Sequence, residues 1–202
     1  KWMLHGQVGV IGNALVQNML DLARPRNEIP AEVQIHDVLQ QVLTLLGNQF
    51  RKYDIAVSTQ FDRSVPPIIC SVQQMHQVFL NLVQNAVEAM EEAGGELTLA
   101  TALHNGHAMP TPDSRPLMVR VTVRDTGSGM TEEQTQRIFD PFYSTKANGS
   151  GLGLSNCLSI LREQGATITV DSTPEKGSVF TVLLPFVPPS GNGNEIDEPS
   201  AS

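Results

Sequence analysis

Ser71–Glu92, SVQQMHQVFLNLVQNAVEAMEE, decides how the rest of the chain is read, because one helix in it carries two different faces. Met75, Phe79, Leu82, Ala86 and Met90 recur at three- and four-residue steps, the spacing of a stripe that faces a core. Asn81, Asn85 and Glu88 stand at i, i+4 and i+7, so three oxygen-bearing side chains share a neighbouring face. Ser71 followed by Gln74 has the spacing of a capping box, which fixes where the helix begins. Taken alone, the polar stripe fits the solvated side of an amphipathic helix as well as it fits a site.

Upstream, Pro30 precedes a short extended segment, VQI, and His36–Tyr53 has apolar residues at helical spacing. IAVSTQF alternates like a strand, and PPIIC reads as a second strand with proline at its start. Downstream, ELTLATAL and LMVRVTVRD are strands separated by a loop rich in breakers, HNGHAMPTPDSRP. TEEQTQRIF makes a short helix with Thr131 as N-cap. Gly153–Arg162 resumes helical periodicity, and ATITVDS and SVFTVLLPF flank the turn TPEKG. This order predicts an α+β chain, a two-layer α/β sandwich whose mixed, mostly antiparallel sheet carries helices on one face.

The 202 residues suffice for one good-sized domain with short appendages. Glycines at 6, 9 and 12 weaken any helix at the start, and Leu15, Met19 and Leu22 suggest last helical turns ended by Pro25. The expected division is 1–29 as a structural stub or an appended segment, 30–188 as the main domain, and 189–202 as a disordered tail or linker. A net charge of −8 without a Lys/Arg block argues against nucleic acid or an anionic membrane surface as partner. Cys70 and Cys157 form no CxxC or metal-spaced cluster and read as core thiols of a cytoplasmic protein. No apolar run reaches the length of a membrane span, so direct membrane contact is not expected here, although the parent protein can be anchored elsewhere.

Chemistry concentrates between Asp125 and Gly153. Asp125-Thr-Gly-Ser-Gly-Met130 leaves a strand and turns sharply, with Gly127 and Gly129 letting backbone approach a ligand. A carboxylate at a strand end can accept a hydrogen bond from an exocyclic amine such as that of adenine; an ordinary turn is the plain alternative. Gly149-Ser-Gly-Leu-Gly-Leu-Ser155 runs straight into a helix, whose first amides suit a phosphate. It is not a dinucleotide fingerprint, because no βαβ strand precedes it and GxGxG is not GxGxxG. No GK[ST] occurs, so a Walker loop is absent. Between the clusters, Phe139 and Phe142 can fasten a mobile loop spanning Phe139 to Ser150. Lys146 can reach a terminal phosphate or remain a solvated surface charge.

In chain order, NLVQNA, DTGSGM, FDPFYSTK, GSGLGLS and EKGSVFTVLLP resemble the five boxes of the histidine kinase catalytic domain, a Bergerat-fold ATP-binding domain. The wording is that of the nitrogen-regulation and PAS-linked branch, and the resemblance covers about Pro30 to Phe186. It implies ATP and Mg²⁺ as cofactors. It further implies that Asn85 ligates Mg²⁺ with Asn81 nearby, and that Asp125 holds the adenine amine in a pocket shaped by Gly127 and Gly129. Lys146 would contact phosphate, Gly149, Gly151, Leu152 and Gly153 would form the hinge and donors of the lid, Phe142 would lie beside the cofactor, and Thr181 would lie beneath the adenine.

Hydrolytic members of the superfamily carry a glutamate base four residues before the magnesium asparagine, where this chain has Asn81. The resemblance therefore implies phosphoryl transfer to another acceptor rather than to water. None of the five histidines reads as that acceptor: His5 precedes a glycine, and His36, His76, His104 and His107 read as structural. The resemblance implies that 30–188 is the ATP-binding catalytic domain and 1–29 the remnant of the second helix of a dimerisation hairpin; the implied partners are that dimerisation and phosphoacceptor hairpin and a response-regulator receiver domain. A nucleotide-gated binding module, or an anti-sigma-type serine kinase of the same superfamily, is the alternative.

Overall fold

The computed structural model describes residues 30–104, 117–146 and 149–186, so the expectations for 1–29 and for the tail from 189 lie outside the described residues. The first element among the described residues is β1 (Ala31–Val33), which pairs antiparallel with β3 (Ile68–Cys70) in a small two-stranded sheet. Between them run α1 (Ile35–Lys52) and β2 (Ile55–Phe61). Then follow α2 (Val72–Ala89), β4 (Gly95–His104), β5 (Leu117–Asp125), α3 (Glu132–Arg137), α4 (Gly153–Glu163), β6 (Thr167–Thr173) and β7 (Gly177–Phe186).

The main sheet has the order β2-β4-β5-β7-β6. Only β2 and β4 are parallel, and α2 lies in the crossover that a parallel pair requires. The other neighbours are antiparallel, with Val121 opposite both Thr101 and Val182. Alternation along the strands gives the sheet one dry face. Leu97, Leu99, Val119, Val121, Val123, Phe180, Val182 and Leu184 are buried, while Glu96, Arg120 and Arg124 between them are exposed. The two-layer sandwich expected from the element order is therefore the fold found.

Helix α2 is the centre of the helical layer: it touches α1 on one side, α4 on the other, and β5 and β7 beneath. That placement explains why its dry arc is wider than the predicted stripe. Val78, Val83 and Val87 are buried along with Met75, Phe79, Leu82, Ala86 and Met90. The Asn81-Asn85-Glu88 stripe is left as its partly accessible edge.

Two details of α2 differ from the sequence reading. The helix ends at Ala89 with Met90 as its C-cap, rather than running to Glu92. Ser71 does cap, its side chain accepting from the Gln74 amide at 3.2 Å. The expected return arm from Gln74 is not made, because Gln74 Oε1 accepts instead from Gln164 Nε2 at 2.6 Å, tying α2 to the end of α4. A complete capping box is found at α3, where Thr131 and Gln134 serve each other.

Both cysteines are buried and free. Burial pushes the Cys70 thiol up to about 11 and the Cys157 thiol up to about 12, so both stay neutral core groups. His36 also proves structural, although Asp37 follows it. Its ring stacks on Phe61 at 4.9 Å and its Nε2 hydrogen-bonds the Thr101 hydroxyl at 2.8 Å. Burial lowers its pKa, against the opposing pull of Asp37 and Asp62. Among the described residues, no helix is long and apolar enough to cross a membrane.

Candidate functional site

The site is built around the C-terminal half of α2, with the end of β5 as its floor. Asp125 closes β5 at only 3 % exposure. Its Oδ1 accepts from the Gly127 amide at 2.9 Å and from the Ser178 amide at 3.2 Å. Both bonds fall on one oxygen, which aims the carboxylate and leaves Oδ2 as the atom that can accept an incoming N–H. Burial pushes the Asp125 pKa up, and the amides of Gly127, Ser178 and Asp125 itself pull against that.

The turn after Asp125 is clamped between α2 and the β6–β7 connection. The Ser128 amide donates to the Ala89 carbonyl at 3.0 Å, satisfying an orphan carbonyl at the end of α2. A Cβ on Gly127 would stand 2.5 Å from that same carbonyl oxygen. Gly129 has φ 63°, and a Cβ there would lie 2.0 Å from the Thr173 carbonyl oxygen. These two positions require glycine because backbone occupies the space a side chain would need. The Ser128 carbonyl in turn accepts from the Glu175 amide at 2.8 Å.

The opposite wall is the start of α4. A Cβ on Gly153, the first residue of α4, would stand 3.4 Å from Asn81 Oδ1, so the third glycine of the cluster abuts the polar stripe of α2. The Cys157 thiol one turn further along α4 donates to the Val78 carbonyl of α2 at 3.7 Å. Leu152 is the N-cap, makes no side-chain capping bond, and no acidic residue occupies the first turn. The positive end of the α4 dipole and its first amides are thus not neutralised by a local carboxylate, a setting suited to an anion.

The connection between α3 and α4 crosses the front. Phe139 and Tyr143 pack against the core, and the Arg137 guanidinium lies 4.5 Å from the Tyr143 ring centre. Phe142, expected beside the cofactor, is 76 % exposed with φ 66°. Its amide donates to the Gly151 carbonyl at 3.0 Å, and the close approach of Gly151 to the Phe142 backbone turns the ring outward. Gly149 donates to the Lys146 carbonyl at 3.2 Å, closing a small turn, and Lys146 Nζ forms an ion pair with Glu88 Oε2. The site therefore brings Asn81, Asn85, Glu88, Asp125 and Lys146 around one helix half.

Thr181 is not among them. It pairs with Thr122 on β5 and Thr169 on β6, and along β7 it falls on the outer face, opposite in phase to buried Phe180 and Val182. A residue beneath an adenine held by Asp125 would lie near that carboxylate, and the β7 residue there is Ser178. It is buried, bonded through its amide to Asp125 and through its hydroxyl to Ser172 at 3.0 Å. Sequence reasoning missed Ser178 and Gly177, whose Cβ would lie 2.1 Å from the Asp125 carbonyl oxygen. The usable signal was strand phase counted from the EKG turn, which puts Ser178, Phe180 and Val182 on the inner face and Thr181 on the other.

Residues 70–188 match the family described as histidine kinase-, DNA gyrase B- and HSP90-like ATPase. The chain belongs to that family. It is 38 % identical over 176 residues to the sensory histidine kinase/phosphatase NtrB of Azospirillum brasilense, covering 86 % of this chain and 44 % of NtrB. The chain thus spans less than half the length of that relative. Among solved structures, full-length ShkA in complex with AMPPNP is similar with TM-score 0.68 and 28 % identity, over 86 % of this chain and 35 % of ShkA. The histidine kinase ThkA in complex with the response regulator protein TrrA is similar with the same TM-score and identity, over 92 % of this chain and 52 % of that chain.

Proposed function

We propose that residues 30–188 are the ATP-binding catalytic domain of a two-component sensor histidine kinase. It transfers the γ-phosphoryl group of Mg-ATP to a histidine on a separate dimerisation hairpin, for relay to a response regulator. The observation that carries this reading is Asp125, buried at the strand end with one oxygen fixed by two backbone amides and the other left to accept the adenine amine. The AMPPNP bound in the ShkA structure and the response regulator bound in the ThkA structure support it.

Roles follow from position. Gly127, Gly129 and Ser178 hold Asp125 and shape the adenine floor, Gly149, Gly151, Leu152 and Gly153 present α4 to the phosphates, and Lys146 supplies a cation at their outer end. Among the described residues, no cluster of three or more His, Cys, Asp or Glu could hold a metal. Mg²⁺ keeps several waters and takes phosphate oxygens, so the Asn85 amide oxygen would suffice as its side-chain ligand. When bound, Mg²⁺ would neutralise charge on the phosphates. Asn81 carries no basic carboxylate, so the chain has nothing at that position to activate water.

In the transfer, an imidazole nitrogen of the acceptor forms a bond to the γ-phosphorus, and the bond to the β-γ bridging oxygen breaks to release ADP. The protein contributes alignment and charge neutralisation. Incubating the chain with γ-labelled ATP and a separate hairpin carrying a phosphoacceptor histidine tests this reading. Acid-labile label on the hairpin is expected. Tight ATP binding with no label transferred would favour a nucleotide-gated binding module instead.

A further inference from the structure

The Lys146–Glu88 ion pair joins the α3–α4 connection to α2 across 58 positions of sequence, one turn beyond Asn85. Glu88 sits in the last turn of α2, where the helix dipole disfavours an acid and where no basic residue of the helix itself offsets it. A carboxylate in that place is not there to stabilise the helix. Its position is accounted for by its partner, because the Lys146 ammonium restores the charge balance that the helix end lacks.

The partner is aimed as well as charged. The Lys146 amide donates to the Ser144 hydroxyl at 3.1 Å, and its carbonyl accepts from Gly149. A Cβ on Gly149 would stand 2.2 Å from the Ser144 hydroxyl, so glycine at this position leaves room for the hydroxyl that takes the Lys146 amide. Both side chains of the pair remain partly exposed, 44 % for Lys146 and 35 % for Glu88. A pair of that exposure is weak and readily exchanged for a more highly charged partner.

Resting on the nucleotide reading above, we propose that Glu88 is a positioning residue: it parks Lys146 against α2 in the nucleotide-free protein and yields it to the terminal phosphates when nucleotide enters. Glu88 acts through Lys146 and sets affinity for the phosphate tail, while the adenine floor at Asp125 is independent of it.

Calorimetric titration of the full chain with Mg-AMPPNP and, separately, with adenosine tests this. Glu88→Gln keeps the shape and removes the competing charge, so AMPPNP binding is expected to tighten roughly three- to five-fold with adenosine unchanged. In the Lys146→Met background the gain from Glu88→Gln is expected to vanish, as coupling through one partner demands. Unchanged or weaker AMPPNP binding in Glu88→Gln, an equal shift for adenosine, or a gain that persists without Lys146 would each overturn the proposal. No AMPPNP binding by the unaltered chain would overturn the nucleotide reading itself and this proposal with it. Binding by the unaltered chain, with any of the other contrary results, overturns this proposal alone.

Discussion

The floor of the site at Asp125 and its outer wall at Lys146 are built by opposite means. At the floor a buried carboxylate is fixed by amides of two different strand ends, and glycines fill space where any side chain would strike backbone. At the wall, two long and partly exposed side chains meet across a loop, and little backbone depends on them. A planar base needs a rigid slot of set depth, whereas a charged tail needs countercharge that can follow it. The difference teaches that stability and the proposed nucleotide recognition are coupled at one end of this site and separable at the other.

That contrast breaks most visibly at glycine. Gly129→Ala places a Cβ on Thr173 backbone at φ 63°, and it is expected to destabilise the fold by about 3 kcal/mol, read by urea unfolding. A shift under about 1 kcal/mol would mean the turn can move aside and the floor is not rigid. At the wall, Gly153→Ala meets only Asn81 at 3.4 Å and sits in a helix, so stability should hold or improve within about 1 kcal/mol.

The next effect sharpens the floor chemically. Asp125→Asn retains an oxygen for the Gly127 and Ser178 amides but loses the charge, and should weaken ATP binding roughly 10- to 100-fold. The unaltered protein should also lose affinity as pH falls. Protonation places a hydrogen on the carboxyl that must accept the adenine amine, and burial raises the pH at which this happens above the ordinary aspartate range. The variant should lack that acid limb; a limb persisting in Asp125→Asn would assign it to another group.

How much of this was legible in the sequence depends on what kind of contact makes each part. The sandwich followed from strand alternation and from the stripe on α2, since both are periodic and local. Asp125, Gly127 and Gly129 were legible because a strand ending in DTGSG has few backbone solutions. The Gln74–Gln164 bond, the Val78–Cys157 bond and the Lys146–Glu88 pair were not, since each joins residues far apart whose spacing carries no period. Thr181 failed for a simpler reason: strand phase was not counted from the turn, and one position of slip exchanges the two faces of a sheet. Phe142 was read from its type, and the positive φ imposed beside Gly151 turned it outward.

Nucleotide held at α2 is the feature on which all of these proposed roles depend. Titrating the chain with ATP in the presence of Mg²⁺ and again with excess chelator, for the unaltered protein and for Asn85→Ala, tests it most directly. The prediction is binding that depends on Mg²⁺ in the unaltered chain and loses that dependence, with most of its affinity, in Asn85→Ala. Equal affinity in the two proteins would contradict it.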